Sequence, residues 1–462
     1  VPITDDDWRG RPRNALDLSQ KGPHTLELLR NATHDHDGYQ IHAGDINLRL
    51  VCKAFDRAMT RAFFNTESAI FRAHETDAVQ RLQEFIIDEQ ATIAPYVKCL
   101  EIELTGKWSG PFEFRKATAD PEKTESLAVQ LNKFLPKLED AVARLPKLVG
   151  LIFDINEKLE SIEPVIIAED DEEVMKKCHG PVVDLELQEN IRSTIAHVFS
   201  SLRVDFQSLT YLRLTLFCTY DLATVGKHIS DETAMQLRYL HLEYTDSTGQ
   251  AGSRYYSRYT EDQDEDGTDN MPFSNLQLRY PNIDYMSGVC NLISRCRALQ
   301  SLSVEATQCL DLKDLDWRPA TLGLENVFLK RAVITSATLL ALTSSSDTSV
   351  SNIVAFDMRE VKLWDGTWGT IFDRLAAISS LGDVYVDNLF YDASGESAGN
   401  VAGNGRLWED SRVLWSEEEE DAVSLQKLVK CVEKRTGRES MINGIHDDED
   451  EEDEEDSSEL MG

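Results

Sequence analysis

Residues 209–214, Leu-Thr-Tyr-Leu-Arg-Leu, and residues 237–242, Leu-Arg-Tyr-Leu-His-Leu, place apolar side chains at the same positions i, i+3 and i+5. In an extended chain, side chains alternate between two faces, so i+3 and i+5 share a face and the residues beside them share the other. Each run therefore reads as a short strand with one side in a core. Runs of the same shape begin at Val97, Leu148, Leu299, Leu324, Ile353 and Leu381. The pattern alone is cheap, since about a dozen matches arise by chance in a chain this apolar. Spacing carries more weight: the eight successive starts lie 51, 61, 28, 62, 25, 29 and 28 residues apart.

Helical faces precede several of these strands. Ile191, Ile195, Val198, Phe199 and Leu202 lead into the run at Leu209. Val289, Leu292, Ile293 and Cys296 lead into Leu299, and Trp368, Ile371, Phe372 and Leu375 into Leu381. Four intervals sit at or within the upper range of a leucine-rich repeat, and three are about twice as long, as if a unit were degenerate or carried an insertion. A lone strand–helix unit cannot bury its apolar side, whereas stacked units share one core. A doubly wound sheet is the main competitor, but no Gly-rich phosphate turn follows any strand. The expected fold class is α/β: an N-terminal helical segment, then an irregular leucine-rich-repeat solenoid and an acidic disordered C-terminal tail.

In this scheme residues 1–20 are a loose N-terminus and 21–75 the helical segment. The array spans 90–390, with polar insertions near 169–173 and 246–275. A flexible Gly/Ser-rich loop covers 391–415, a closing helix 416–437, and the tail 443–462. Ser416 with Glu419 three residues on suggests a capping box for the closing helix, and Gly437 its stop. Tyr255, Tyr256 and Tyr259 beside Arg254 and Arg258 could anchor a partner, but the polarity of 246–275 favours a plain insertion.

The composition is 41% hydrophobic and 28% charged, ordinary for a folded chain, and no apolar stretch is long enough to cross a bilayer. The opening Val1-Pro2-Ile3-Thr4 lacks the features of a signal peptide, so the expected location is cytoplasmic and/or nuclear, with no membrane partner. Net charge is −35, and Asp447 to Asp456 is an uninterrupted run of ten acidic residues. Without a basic stripe, nucleic acid is not an expected partner. The run reads first as a solubilising tail and second as a lure for a basic protein. Eight scattered cysteines contain no Cys-x-x-Cys pair, so neither a disulfide framework nor a zinc site is expected.

No cofactor and no metal are expected. His34, His36 and His42 lie in a turn-prone stretch that reads as a solvated loop. Gly395-Glu-Ser397-Ala-Gly399 matches the nucleophile elbow of serine hydrolases. That elbow needs a buried strand before it and a helix after it; here Asn400-Val-Ala-Gly-Asn-Gly405 follows. A hydrolase at Ser397 is the remote alternative, and the expectation is a chain that is not an enzyme.

Asp45 can cap a helix whose apolar face is Leu48, Val51, Cys52, Phe55 and Met59. The sequence Leu48-Arg-Leu-Val-Cys-Lys-Ala-Phe55 resembles the second half of the F-box motif. Val361-Lys-Leu-Trp-Asp-Gly-Thr-Trp-Gly-Thr-Ile-Phe372, followed by Leu375 and Leu381, resembles late repeats of fungal F-box proteins. The resemblance implies a substrate receptor of a Skp–cullin–F-box ubiquitin ligase, with the Leu48–Met59 face docking on the Skp-type adapter protein. The family usually opens with Leu-Pro-x-Glu, where this chain has Gly22-Pro23-His24-Thr25. A leucine-rich-repeat interaction scaffold unconnected to ubiquitination is the alternative. Strand register sets Glu101, Glu103, Asp154, Arg213, Glu243, Glu305, Lys330, Asp357, Arg359 and Asp387 on the inner side as target-binding residues. Acids dominate that set, which points to a basic target protein.

Overall fold

The computed structural model describes residues 15–17, 68–73, 77–88, 94–105, 127–155, 185–201, 209–245, 276, 279–318, 323–345, 351–392, 414–416 and 418–437. The first strands are β1 (Ala15–Asp17), β2 (Ser68–Arg72), β3 (Cys99–Thr105) and β4 (Gly150–Ile155). Next come β5 (Tyr211–Leu216), β6 (Tyr239–Tyr244), β7 (Ser301–Asp311) and β8 (Asn326–Ile334). The last are β9 (Ala355–Arg359), β10 (Lys362–Leu363), β11 (Asp383–Asp387) and β12 (Phe390–Tyr391). Helices fill the connections: α1 (Ala78–Leu82), α2 (Leu127–Ala143), α3 (Leu185–Ser201), α4 (Thr219–Val225) and α5 (Asp231–Gln236). They continue with α6 (Asn282–Arg295), α7 (Ser336–Leu342), α8 (Trp368–Ala376) and α9 (Glu419–Thr436).

All twelve strands belong to one sheet in the order β1-β2-β3-β4-β5-β6-β7-β8-β10-β12, with β9 set between β8 and β11 on a second branch. Every pairing among these strands is parallel, as expected where helices return the chain to the same end.

This α/β sheet overturns the expected F-box-like segment followed by a leucine-rich-repeat solenoid. Ser68–Arg72, inside the stretch assigned to the helical segment, is a strand of the sheet, and β1 adds a further strand from residues 15–17. A solenoid takes one strand of one register from each unit. Here β8 pairs with both β9 and β10, so the sheet divides. The i, i+3, i+5 pattern reports a strand packed on helices by one face; it holds for any such parallel sheet. The adapter-docking residues Leu48, Val51, Cys52, Phe55 and Met59 lie outside the described residues. So do His34, His36, His42, Ser397, both polar insertions and the acidic run.

The eight runs read from the sequence are all strands, each beginning two residues after the first apolar position. Their i, i+3 and i+5 side chains are buried in one continuous core with the helices, from Leu100 and Ile102 to Val384 and Val386. Neighbouring helices also pack in sequence: α2 on α3, α3 on α4, α4 on α6, and α8 on α9. Gly288 of α6 permits one such approach, because a Cβ there would stand 2.5 Å from the Cβ of Ala223 on α4.

The branch point has a backbone cause. Arg331, Glu360 and Asn388 take φ of 58°, 54° and 52°, the left-handed region that non-glycine residues rarely adopt. Glu360 and Asn388 follow the last residues of β9 and β11, and Arg331 is the matching residue inside β8. Each turns the chain so that a second short stretch, 332–334, β10 or β12, pairs on its own branch. The ladder continues at Leu414, which bridges Leu389.

Helix α9 starts at Glu419, and the expected Ser416–Glu419 capping box is corrected. The Ser416 hydroxyl accepts from the Glu418 amide at 3.0 Å and donates to Asp421 at 2.6 Å. Gly437, at φ 65°, takes the left-handed conformation that ends the helix. No helix among the described residues is long and apolar enough to cross a membrane.

Candidate protein-interaction face

Strand alternation that sends the leucines into the core sends the next residues to the opposite face, where parallel pairing lines them up in rows. One row reads Ile70, Glu101, Ile152, Arg213, His241, Ser303, Phe328, Asp357 and Tyr385 across neighbouring strands. Two residues further along, Arg72, Glu103 and Asp154 form the start of a second row on β2 to β4. Thr215, Glu243, Glu305, Lys330, Arg359 and Asp387 continue it from β5 to β11. The structure thus brings all ten sequence-selected target-binding residues to one face of one sheet.

Their burial separates them. Glu101, Glu103, Asp154, Arg213, Glu243 and Asp357 are buried, Glu101 completely. The side chains of Arg72, Lys330 and Arg359 remain 29%, 24% and 21% exposed, so these cations are more accessible than the central acids.

Opposite charges meet across the rows. Arg72 Nε lies 2.8 Å from Glu103 Oε2, and Lys330 Nζ lies 2.6 Å from Glu305 Oε1. Arg359 holds Asp357 through two nitrogens at 3.0 and 2.8 Å. Its guanidinium also lies over the Tyr385 ring, 4.4 Å from the centroid, with Phe328 on its other flank at 5.4 Å.

At the centre, Arg213 Nη2 donates to Glu243 Oε2 at 3.1 Å, while its Nε and Nη1 have no hydrogen-bond partner. Burial alone would lower the basicity of Arg213, but the charges of Asp154 and Glu243 outweigh it and push the pKa above the usual arginine range. His241 is next in the row, its Nε2 3.7 Å from Glu243 Oε2, too long for a hydrogen bond. Burial holds its imidazole below the usual histidine range, against the pull of Glu243, so it is neutral at pH 7. The Ser303 hydroxyl beside it is likewise buried without a partner. Towards the strand starts, Tyr211 and Tyr239 stand side by side with centroids 6.1 Å apart, and Tyr239 is exposed.

Sequence reasoning missed Arg72, because β2 was not foreseen. It also missed His241, Ser303, Tyr385 and the Tyr211–Tyr239 pair. All but Arg72 sit at alternating positions of recognised strands, so extending the register argument from charged residues to every outward position would have found them.

A second polar cluster lies in the helix layer. Asp221 accepts from Gln188 at 2.9 Å, Arg192 at 3.1 Å and the Cys218 amide at 3.2 Å, while burial raises its pKa. Arg192 lies over the Tyr220 ring, which stacks on Tyr280 at 4.2 Å. These interactions join α3, α4 and the start of α6 and read as packing. Burial pushes the Cys290 and Cys296 thiols up to about 12, which keeps them protonated and unreactive. Among the described residues no group of three or more His, Cys, Asp or Glu side chains could hold a metal ion.

No family model matches the chain, and no curated protein sequence matches it.

Proposed function

We propose that this chain is a non-catalytic protein-binding adapter whose charged sheet face receives a partner protein. The observation that carries this reading is the pair of rows crossing eight neighbouring strands, β2 to β9, with β11 beyond them. They offer ion pairs and aromatic rings on a rigid platform rather than a single reactive pair. Arginine and tyrosine are the residue types that most often anchor such interfaces, and Arg359, Tyr385 and Tyr239 supply them here. The acidic run at 447–456 favours a partner with basic segments, while the accessible Arg72, Lys330 and Arg359 of the face would meet acidic groups of the same partner.

The test compares proteins captured by the intact chain with those captured by a Tyr239→Ala, Lys330→Glu, Arg359→Glu triple variant of equal thermal stability. Specific partners lost from the variant, and lost from the wild type as salt rises, support the reading. Identical capture by both would remove the face from consideration.

The more specific role, substrate receptor of a Skp–cullin–F-box ubiquitin ligase residing in the cytoplasm or nucleus, rests on the resemblance at Leu48–Phe55. Binding of a purified Skp-type adapter tests it directly. Val51→Asp with Cys52→Asp should abolish that binding, and retained binding would withdraw the ligase role while leaving the protein-binding face untouched.

A further inference from the structure

We infer that Ser416 is a phosphorylation site for an acid-directed serine/threonine kinase, and that a phosphoryl group there holds α9 away from α8. Five acidic residues follow the serine directly, Glu417-Glu-Glu-Glu-Asp421. A kinase with a basic peptide groove selects such a segment by charge complementarity.

The same hydroxyl is part of the fastening of α9. Asp421 Oδ2 accepts from Ser416 Oγ at 2.6 Å and from Tyr391 Oη at 2.6 Å. Asp421 Oδ1 accepts from the Gly369 amide in the first turn of α8 at 2.6 Å. Tyr391 Oη in turn accepts from the Trp368 amide at 3.0 Å. One buried carboxylate therefore ties together α8, β12, α9 and Ser416, three residues ahead of α9. The apolar side of α9, including Leu425 and Leu428, closes the arrangement, and Arg435 reaches the Ala376 carbonyl.

A phosphoryl group reverses this attraction. The Ser416 oxygen attacks the γ-phosphorus of ATP, the bond to the bridging oxygen of ADP breaks, and the hydroxyl proton passes to the kinase's base. The product has no proton to donate at neutral pH and places nearly two negative charges against the Asp421 carboxylate. The helix N-terminus favours an anion, but a second carboxylate at hydrogen-bond distance in a site closed to water opposes it more strongly.

Because Ser416 is buried while α9 is docked, the kinase meets it only when α9 lifts, and phosphorylation then prevents return. Docking and modification exclude each other, so weakening one promotes the other.

The experiment uses the full chain with Ser457→Ala and Ser458→Ala, which removes the serines of the acidic C-terminal segment. It is incubated with ATP and a recombinant kinase that selects acidic residues at the three positions after the serine. Site-resolved mass spectrometry and amide hydrogen exchange follow. The expected result is phosphate on Ser416, absent from Ser416→Ala, with incorporation about tenfold or more faster in Leu428→Ala, which loosens the packing of α9. Arg435→Ala, lacking only the reach to Ala376, serves as the milder opening variant should Leu428→Ala fold poorly. Exchange in α9 and at Gly369 should rise in the phosphorylated protein. Absence of phosphate on Ser416 from wild type and opening variant alike, or phosphate there with unchanged exchange, would overturn the inference.

Discussion

Arg331 and Glu360, the left-handed residues of β8 and of the corner after β9, are joined by a two-point ion pair at 2.7 and 3.1 Å. The pair sits where the sheet branches, so two strained backbone positions are held by one side-chain interaction. Replacing Glu360 with alanine removes the ion pair and keeps the strained φ. Glycine removes both the ion pair and the strain. Glu360→Gly should therefore be the more stable variant by about 1 kcal/mol, read from urea midpoints. Equal midpoints would mean that the φ of 54° costs nothing.

Arg213 is buried with the charges of Asp154 and Glu243 acting on it, so its removal takes the countercharge away from two buried carboxylates. Arg213→Met should cost about 3 kcal/mol or more in chemical denaturation. Adding Glu243→Leu should restore much of this, because the second change removes one of the stranded charges. A double variant as unstable as the sum of the two singles would show that the pair is not coupled.

The His241 imidazole is held below its ordinary range by burial, so the folded protein resists a proton that the unfolded chain accepts. The contribution of His241 to stability is complete above about pH 6.5 and is lost as pH falls below it, by at most about 1.4 kcal/mol per pH unit. His241→Gln cannot titrate. Its stability relative to wild type should rise between pH 7 and pH 5, measured by denaturant midpoints at each pH. A difference independent of pH would show that His241 takes its proton as readily in the folded state.

Gly288 and Ala223 bring α6 and α4 together, and a Cβ on residue 288 would stand 2.5 Å from the Ala223 Cβ and 2.8 Å from its Cα. Gly288→Ala should lower stability by about 1–3 kcal/mol despite the better helix propensity of alanine. Adding Ala223→Gly should not restore it fully, since the new methyl group would still press on the backbone of residue 223. Full restoration would place the conflict in the alanine side chain alone.

Much of the strand framework was legible in the sequence. Leu212 and Leu214, or Phe356 and Met358, announce a strand because extended backbone repeats every two residues, and burial of one face leaves that period in the residue types. The same period placed Glu101, Arg213 and Asp387 on a shared face. The architecture was not legible, because the apolar period is identical whether parallel units coil into a solenoid or lie in a divided sheet. β2 was hidden as well: the place of the leading apolar residue, two positions before Ser68, is taken by Thr66.

By itself, then, the sequence determined eight of the twelve strands and which of their side chains turn towards the helices, because burial of one face is written locally, residue by residue. Only the tertiary structure decided that β8 carries two branches, that Arg213 meets Glu243 and not Glu305, and that Asp421 fastens Gly369 from 52 residues away. Those outcomes depend on which strands and helices become neighbours. That is settled by packing among distant segments, and no local period in the chain records it.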